Sequence, residues 1–419
     1  MPASLHVFTS SRWFDRPWAV ALAGLLALAV AMGVGRFAFT PLLPMMLHDG
    51  VVDLAQGSWL ATANYVGYLV GAIACTALPW LAPRLYRRWG PARLARAGLV
   101  ATVVLTAAMA LPAPAGWPAL RFAAGVASAF VLLNVAAWCM VRLTVLGRPA
   151  MGGLIFAGPG LGIVLTGVVA SAMVLLGWRA AMGWVVFAVL AVAWCLPIWP
   201  VMRGQADPGA PAAVAAEAAA ERRDTVQAGG TALARALHAL GYGLAGLGYI
   251  VTATFLPVIA RTALAPGSPW PDLFWPMFGV GATVGAVLSA RTPERWDRRW
   301  LLALCYLVQA LGIALGLWLP TAAGFAAGSV LLGLPFLALV FYAMQVARRL
   351  WPASADSFMS LITAVYGLGQ IAGPPITAWL LAAHGQARGF TLGLSFAASA
   401  LVLGAVIYAV SALRWRTLP

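Results

Sequence analysis

Twelve apolar stretches, most of about twenty residues or more, divide almost the whole chain and are separated by short polar breaks. They run 18–47, 58–81, 94–111, 117–141, 149–176, 180–202, 236–260, 273–290, 300–320, 323–347, 357–383 and 390–413. A helix of about 20 apolar residues crosses the hydrocarbon core of a bilayer, whereas a barrel strand needs only about ten. Backbone in hydrocarbon must satisfy its own hydrogen bonds, so stretches of this length form helices. The chain is therefore expected to be an all-α membrane protein of twelve transmembrane helices. Only 9% of its residues are charged, against about 25% in a soluble domain. The first stretch is too long for a signal-peptide core and lacks a small-residue cleavage site, so it is expected to stay as an anchor. Trp18, Trp59, Trp80, Trp117, Trp199, Trp300 and Trp318 fall near stretch ends, as an interfacial aromatic belt would place them.

All 26 basic residues are arginine. Without lysine the chain has neither a Schiff-base lysine nor the lysine of a phosphate-binding loop, so an ATPase motor of that kind is excluded. The net charge of +15 lies in clusters between apolar stretches rather than on one polar face, which speaks against nucleic acid as a partner and for the lipid bilayer. Alternate breaks, with Arg96 at the edge of the third stretch counted with them, collect 21 arginines on one side, whereas the other side receives only Arg179, Arg261 and Arg388. By the positive-inside rule both termini and the central break are expected in the cytoplasm, in a multi-pass protein of a bacterial inner membrane. Cys75, Cys139, Cys195 and Cys305 sit in apolar stretches with no CxxC spacing and no nearby histidine. They read as packing residues, and no metal or other cofactor is expected.

The longest polar interruption, 203–235, lies near the middle and divides the chain into residues 1–202 and 236–419. Its stretch AAVAAEAAAERR has high helix propensity and is expected to form a surface helix. The two parts repeat one another. GVGRFAFTPLLPMM from Gly33 aligns without gaps to GLGYIVTATFLPVI from Gly246, an offset of 213 that matches Gly33, Gly35, Leu43 and Pro44 to Gly246, Gly248, Leu256 and Pro257. A weaker echo pairs Ala157, Gly158 and Pro159 with Ala372, Gly373 and Pro374. Matched Gly/Pro-broken helices in parallel halves suit a carrier that rocks about a central site. Pro44 and Pro257 are accordingly expected to mark equivalent weak points.

By helix count, linker position and half-chain repeat the sequence resembles the major facilitator superfamily, which implies two pseudo-symmetric six-helix bundles. Its first-stretch signature GVGRFAFTPLLP, followed by WLATANYVGYLVGA from Trp59, resembles the YbfB/YjiJ-type branch. The resemblance implies a monomeric secondary transporter that moves a small molecule by alternating access. Arg121 and Gly125 fit the superfamily's RxxxG element, which implies a part in proton coupling. Gly158, Pro159 and Gly162 partly resemble the GPxxGG hinge of drug/proton antiporters, although the second AGP at 372–374 is explained equally by a symmetrical structural hinge. RRWGPAR, residues 87–93, occupies the place of the superfamily's DRxGRR-type loop. Arg87 replaces the usual acid there, and Arg84, Arg88 and Arg93 remain to engage carbonyls at helix C-termini of the other half or to act only as positive-inside anchors.

Arg36 is the most informative residue, because a charge inside an apolar stretch is costly and normally faces a cavity or a partner. It is expected to bind an anionic part of the solute, with Thr40 at i+4 on the same face; snorkelling to the interface or bonding to carbonyls is the competing role. Asn64 with Tyr68, Asn134 with Trp138, Tyr249 with Thr252, Tyr342 with Gln345, and Tyr366 with Gln370 also share helical faces. The resembled fold implies that such residues line a central cavity, and hydrogen bonding between helices is the alternative. No carboxylate falls in the middle of a stretch. Coupling would then rest on substrate protonation, or on His238, Asp272 or Asp356 near stretch ends, or transport would be uncoupled. All four histidines, His6, His48, His238 and His384, read as loop or interfacial residues. An intramembrane enzyme would need a paired nucleophile and base at depth, which is not present, so an enzyme is not expected. Drug or metabolite efflux on the same fold, and a non-transporting receptor or scaffold, are the alternatives.

Overall fold

A computed structural model describes residues 16–202 and 231–415. Arg12, Asp15, His6, most of the 203–235 linker with its alanine-rich stretch, and Arg416 lie outside the described residues, as does the side chain of Asp356. The helices are α1 Pro17–His48, α2 Leu54–Leu81, α3 Pro83–Ala108, α4 Pro114–Val145, α5 Pro149–Leu175, α6 Ala180–Val201, α7 Ala232–Ala263, α8 Trp270–Ala290, α9 Arg298–Trp318 and α10 Ala322–Leu350. They continue with α11 Ala355–His384 and α12 Gln386–Arg414. Eleven are long and apolar enough to cross a membrane; α11, of 30 residues, completes the expected set. Odd helices therefore run from the end of the bundle that holds residues 16 and 415, here the near end, towards the far end, and even helices return.

Several helices outrun the apolar stretches that announce them, because capping side chains extend them past the hydrocarbon. Asp53 and Gln56 form a reciprocal capping box at the start of α2, with distances of 2.7 and 3.0 Å. Thr231 caps α7, Asp297 caps α9 and Thr321 caps α10. The cap of α6 comes from a different loop: the Asp49 carboxylate accepts from the Ala180 amide at 2.7 Å, tying the far end of α1 to α6. Asp49→Ala is expected to lower stability by about 1 kcal/mol, the usual worth of a cap. Thermal unfolding of the purified protein checks this; an unchanged midpoint would mean that the contact contributes nothing.

The break expected between the second and third stretches is helical. α3 starts at Pro83, directly after Ala82, and turns sharply at Gly90, whose φ of 62° favours glycine. α10 is not one rod: it stops at Gly333 and resumes at Phe336, because Pro335 has no amide to continue the ladder. Trp18, Trp59, Trp80, Trp300 and Trp318 are exposed near helix ends, as an aromatic belt requires. Trp117 departs from it, being buried with its indole donating to the Leu111 carbonyl.

The two halves repeat their internal packing. α2 lies on α4 and α8 on α10, while α1 lies on α5 and α7 on α11. Gly158 meets the Leu25 carbonyl of α1, and Gly373 meets Ile250 of α7, so the AGP echo marks equivalent close approaches. Pro159 falls in the first turn of the α-helical part of α5, where no helix bond is lost. Pro374 lies inside α11, which continues through it. Between halves the main contacts are α5 with α8 and α2 with α11.

The expected symmetry of broken first helices does not hold. α7 is an uninterrupted α-helix of 32 residues despite Pro257. α1 instead changes at Ala29 to a π-helix that runs to Phe37, and Pro44 lies in the α-helical turns beyond. The break belongs to the first half alone.

Candidate functional site

A π-helical ladder bonds i to i+5 and widens the turn, which loosens its fit to the ordinary α-ladder at either end. Side chains from α4 take up carbonyls of this segment. Ser128 donates to the Ala31 carbonyl at 2.8 Å. Arg121 donates from Nη1 to the Gly35 carbonyl at 3.4 Å and from Nη2 to the Arg36 carbonyl at 3.2 Å. Its guanidinium also lies 4.8 Å from the Phe39 ring. Behind the segment, a side chain on Gly33 would stand 2.5 Å from Gly162 of α5; only glycine permits that crossing. α4 and α5 thus hold the π turns in place, and Arg36 projects from the last of them.

The Arg36 side chain reaches the seam between the halves and is only 3% exposed. Its guanidinium carbon lies 4.1 Å from the centroid of Tyr68, 5.2 Å from that of Tyr65 and 5.4 Å from that of Phe37. Across the seam its Nη2 donates to Gln370 Oε1 of α11 at 2.5 Å. Gln370 in turn donates through Nε2 to the Tyr249 hydroxyl of α7. Tyr249 leans on Phe336 at 4.9 Å and on Tyr366 at 6.0 Å, and Tyr366 stacks on Tyr242 with centroids 4.6 Å apart. Arg36 Nε has no hydrogen-bond partner. Among the described residues no carboxylate lies within ion-pair distance of Arg36 or Arg121.

Towards the far end the halves are laced by hydrogen bonds. Thr40 donates to the Ala253 carbonyl of α7 at 2.8 Å, the hydroxyls of Tyr65 and Thr254 are 2.9 Å apart, and Ser171 of α5 donates to the Asp272 carbonyl of α8 at 2.8 Å. The Asp272 carboxylate pairs with Arg261 at 2.5 Å and is the one buried carboxylate among the described residues. Thr40 therefore works as a seal rather than beside the Arg36 guanidinium.

Of the residues singled out in the sequence, Arg36, Tyr68, Tyr249, Tyr366 and Gln370 come together. Others do not. Asn64 donates to the Arg121 carbonyl at 2.9 Å, and Gly125 packs so tightly on α2 that a side chain there would stand 2.1 Å from the Asn64 carbonyl; both fasten α2 to α4. Asn134 donates to the Phe130 carbonyl and to Cys75 Sγ. Thr252 turns away from Tyr249 to line a small apolar cavity with Leu256, Ile313 and Phe325. Tyr342 bonds Thr292 at 2.7 Å under Arg298, and Gln345, one turn on in α10, is half-buried with no partner for its Oε1.

Arg84 and Arg88 are exposed, and Arg93 donates to the Arg88 carbonyl of its own segment. The engagement of helix C-terminal carbonyls is carried out by Arg299, which donates to the Ser411 and Trp415 carbonyls at the end of α12 within its own half and is clamped by Asp297. His238 is not interfacial: it is buried, bonded to the Ala343 carbonyl and the Tyr408 hydroxyl, and ringed by Trp351 and Phe358. Tyr65, Tyr242 and Phe336 complete the site without having been marked in advance. Tyr65 could have been read from its spacing, three residues before Tyr68.

Residues 28–409 match the family described as "Uncharacterised MFS-type transporter YbfB". No curated protein matches the chain in sequence. Among solved structures, a point mutant of the nucleoside transporter NupG is similar over 94% of this chain and 99% of its own, with a TM-score of 0.69 and 15% identity. A D-xylose-proton symporter is similar over 97% of this chain and 98% of its own, with a TM-score of 0.67 and 14% identity. At these identities the likeness is one of fold.

Proposed function

Because the chain belongs to the family of MFS-type transporters described by YbfB, a family of multi-pass membrane carriers and not of enzymes, we propose that it moves a small organic anion by alternating access, with Arg36 as the anion's counter-charge. One observation carries this reading: a guanidinium sealed at the seam of the halves, with an unpartnered Nε and no carboxylate among the described residues to neutralise it. An isolated buried charge is costly, and an arriving anion offsets that cost. Nucleosides and D-xylose, the solutes named for the carriers of like fold, are uncharged and would leave the guanidinium unpaired. The 21-to-3 arginine distribution supports cytoplasmic termini in a bacterial inner membrane, which makes the laced far end periplasmic. A single chain holds the whole site, which supports a monomer. For coupling, Asp272 is the carboxylate best placed to exchange a proton with the far side, through release of Arg261.

Transport in proteoliposomes tests the proposal: a panel of organic anions should show saturable movement, and uncharged analogues should not compete. Saturable transport of neutral solutes alone would overturn it. Reporter fusions after Pro419 and within 203–235 should report cytoplasm, and periplasmic activity at either place would reverse the orientation.

A further inference from the structure

Three properties of the Arg36 site limit what the anion can be: the charge available to it, the surfaces around it and the supply of hydrogen bonds. The inference rests on Arg36 being the anion's counter-charge.

The charge comes first. Two guanidiniums lie close together here, but Arg121 has both terminal nitrogens committed to the carbonyls of Gly35 and Arg36. The Nε of each is unpartnered, but Arg121 is held against α1 by those carbonyls, and Arg36 is the one that reaches across the seam to Gln370. Its Nη2 already holds a neutral oxygen, Gln370 Oε1, at 2.5 Å. A carboxylate taking that position would reach Nε with its second oxygen, in the side-on two-point geometry that arginine favours. Gln370 would then be freed to turn its amide elsewhere. One such group satisfies one guanidinium, and a second negative charge would have to draw Arg121 off the Gly35 and Arg36 carbonyls that hold the π turns.

The surfaces are ring faces. Arg36, Tyr65, Tyr249, Tyr242 and Gln370 are buried, whereas Tyr68 of the first half and Tyr366 of the second remain partly exposed. Tyr68 already lies against the guanidinium, and Tyr366 stands in a stack between Tyr242 and Tyr249, inclined by 25° and 16° to them. The two rings belong to opposite halves, and with Tyr65, Phe37, Tyr249 and Phe336 they make the surroundings of Arg36 aromatic. Hydrogen bonding is sparse by comparison: beyond Arg36 the immediate shell offers one amide, Gln370, and tyrosine hydroxyls. A solute with a hydroxyl on every carbon would leave most of its polar groups unmatched.

We propose that the transported solute is a flat aromatic monoanion, an arene bearing a single carboxylate, held side-on by Arg36 with its ring in the aromatic lining to which Tyr68 and Tyr366 contribute.

The test uses the purified full chain and four probes: benzoate, cyclohexanecarboxylate (same charge, no π-face), benzamide (same ring, no charge) and terephthalate (same ring, two charges). Binding is read by calorimetry. Benzoate should bind about 10-fold more tightly than cyclohexanecarboxylate, the size of an aromatic stacking contribution, and benzamide and terephthalate should bind weakly. Tyr366→Leu and Tyr68→Leu should erase the benzoate preference while cyclohexanecarboxylate binding persists, and Tyr366→Phe should keep it. Equal affinity for benzoate and cyclohexanecarboxylate in the unmodified chain would overturn the aromatic class and leave the anion reading standing, even where the leucine variants fail to fold. Benzamide binding as tightly as benzoate would overturn both. Tighter terephthalate binding would overturn the single charge, and no benzoate binding would overturn the proposal outright.

Discussion

Arg36→Ala and Arg36→Lys, each folded, are expected to lose the bound anion. Removing one partner of a buried, hydrogen-bonded charge pair costs about 2–5 kcal/mol, which is a rise in Kd of about 30-fold or more. Lysine keeps the charge but not the fork: it cannot bond two carboxylate oxygens side by side, and it cannot lie flat on Tyr68 as a guanidinium does. Both variants should therefore resemble each other more than either resembles the unmodified chain. The binding enthalpy of the preferred anion on the purified variants, with elution as a single sharp species to establish folding, measures the effect. Gln370→Ala should be much milder, because Gln370 occupies the anion's place on Nη2 rather than holding the anion. Unmodified affinity in folded Arg36→Ala would move the counter-charge elsewhere.

Gly125→Val is expected to destabilise the fold strongly. A side chain at Gly125 stands 2.1 Å from the Asn64 carbonyl and 2.7 Å from the Tyr68 amide, and both neighbours are helix backbone that cannot step aside. Overpacking a core usually costs about 1–3 kcal/mol, and occasionally more; a clash with backbone belongs at the upper end. Forcing α2 from α4 would also carry Tyr68 away from Arg36. Melting of the purified variant should fall well below that of the unmodified chain, with Gly125→Ala between them. A Gly125→Val variant that melts normally but no longer accumulates solute would instead favour the coupling role that its RxxxG spacing implies.

Much of the fold could be read from the sequence, for one physical reason: an apolar stretch long enough to span a bilayer has no alternative to a helix. Helix ends were less legible. Apolarity marks where lipid begins, whereas Asp53, Thr231 and Asp297 decide where a helix does. The π segment was hidden for a related reason. Gly33 and Gly35 announce close approach, but nothing in their spacing says that Ser128 and Arg121, about ninety positions away, would hold the carbonyls of the widened turns. At the site, Arg36 stood out because a charge inside an apolar stretch needs an explanation. The polar pairs were ambiguous because helical spacing gives a shared face, not what that face meets. Gln370 meets Arg36, Asn64 meets the Arg121 carbonyl, and Tyr342 meets Thr292. His238 was misread because its position near a helix end conceals that Trp351, Phe358 and Tyr408 close over it.

The pair of guanidiniums without a neighbouring carboxylate among the described residues has an electrical consequence. When the halves rock, the site changes which side of the membrane it faces, and its charge moves through part of the transmembrane field. A monoanion bound to Arg36, as proposed, would cancel one elementary charge, so the loaded and empty transitions would differ by that charge. Each charge crossing the full field is worth about 2.3 kcal/mol per 100 mV, and a partial crossing is worth the corresponding fraction. One half of the cycle is consequently driven harder by voltage than the other. With a negative interior, the field draws the unneutralised arginines of the empty carrier inward, opposes their return and acts less on the occupied form. Turnover should then depend on membrane voltage through the return of the empty carrier, and saturating both sides with the anion, so that only exchange occurs, should weaken that dependence.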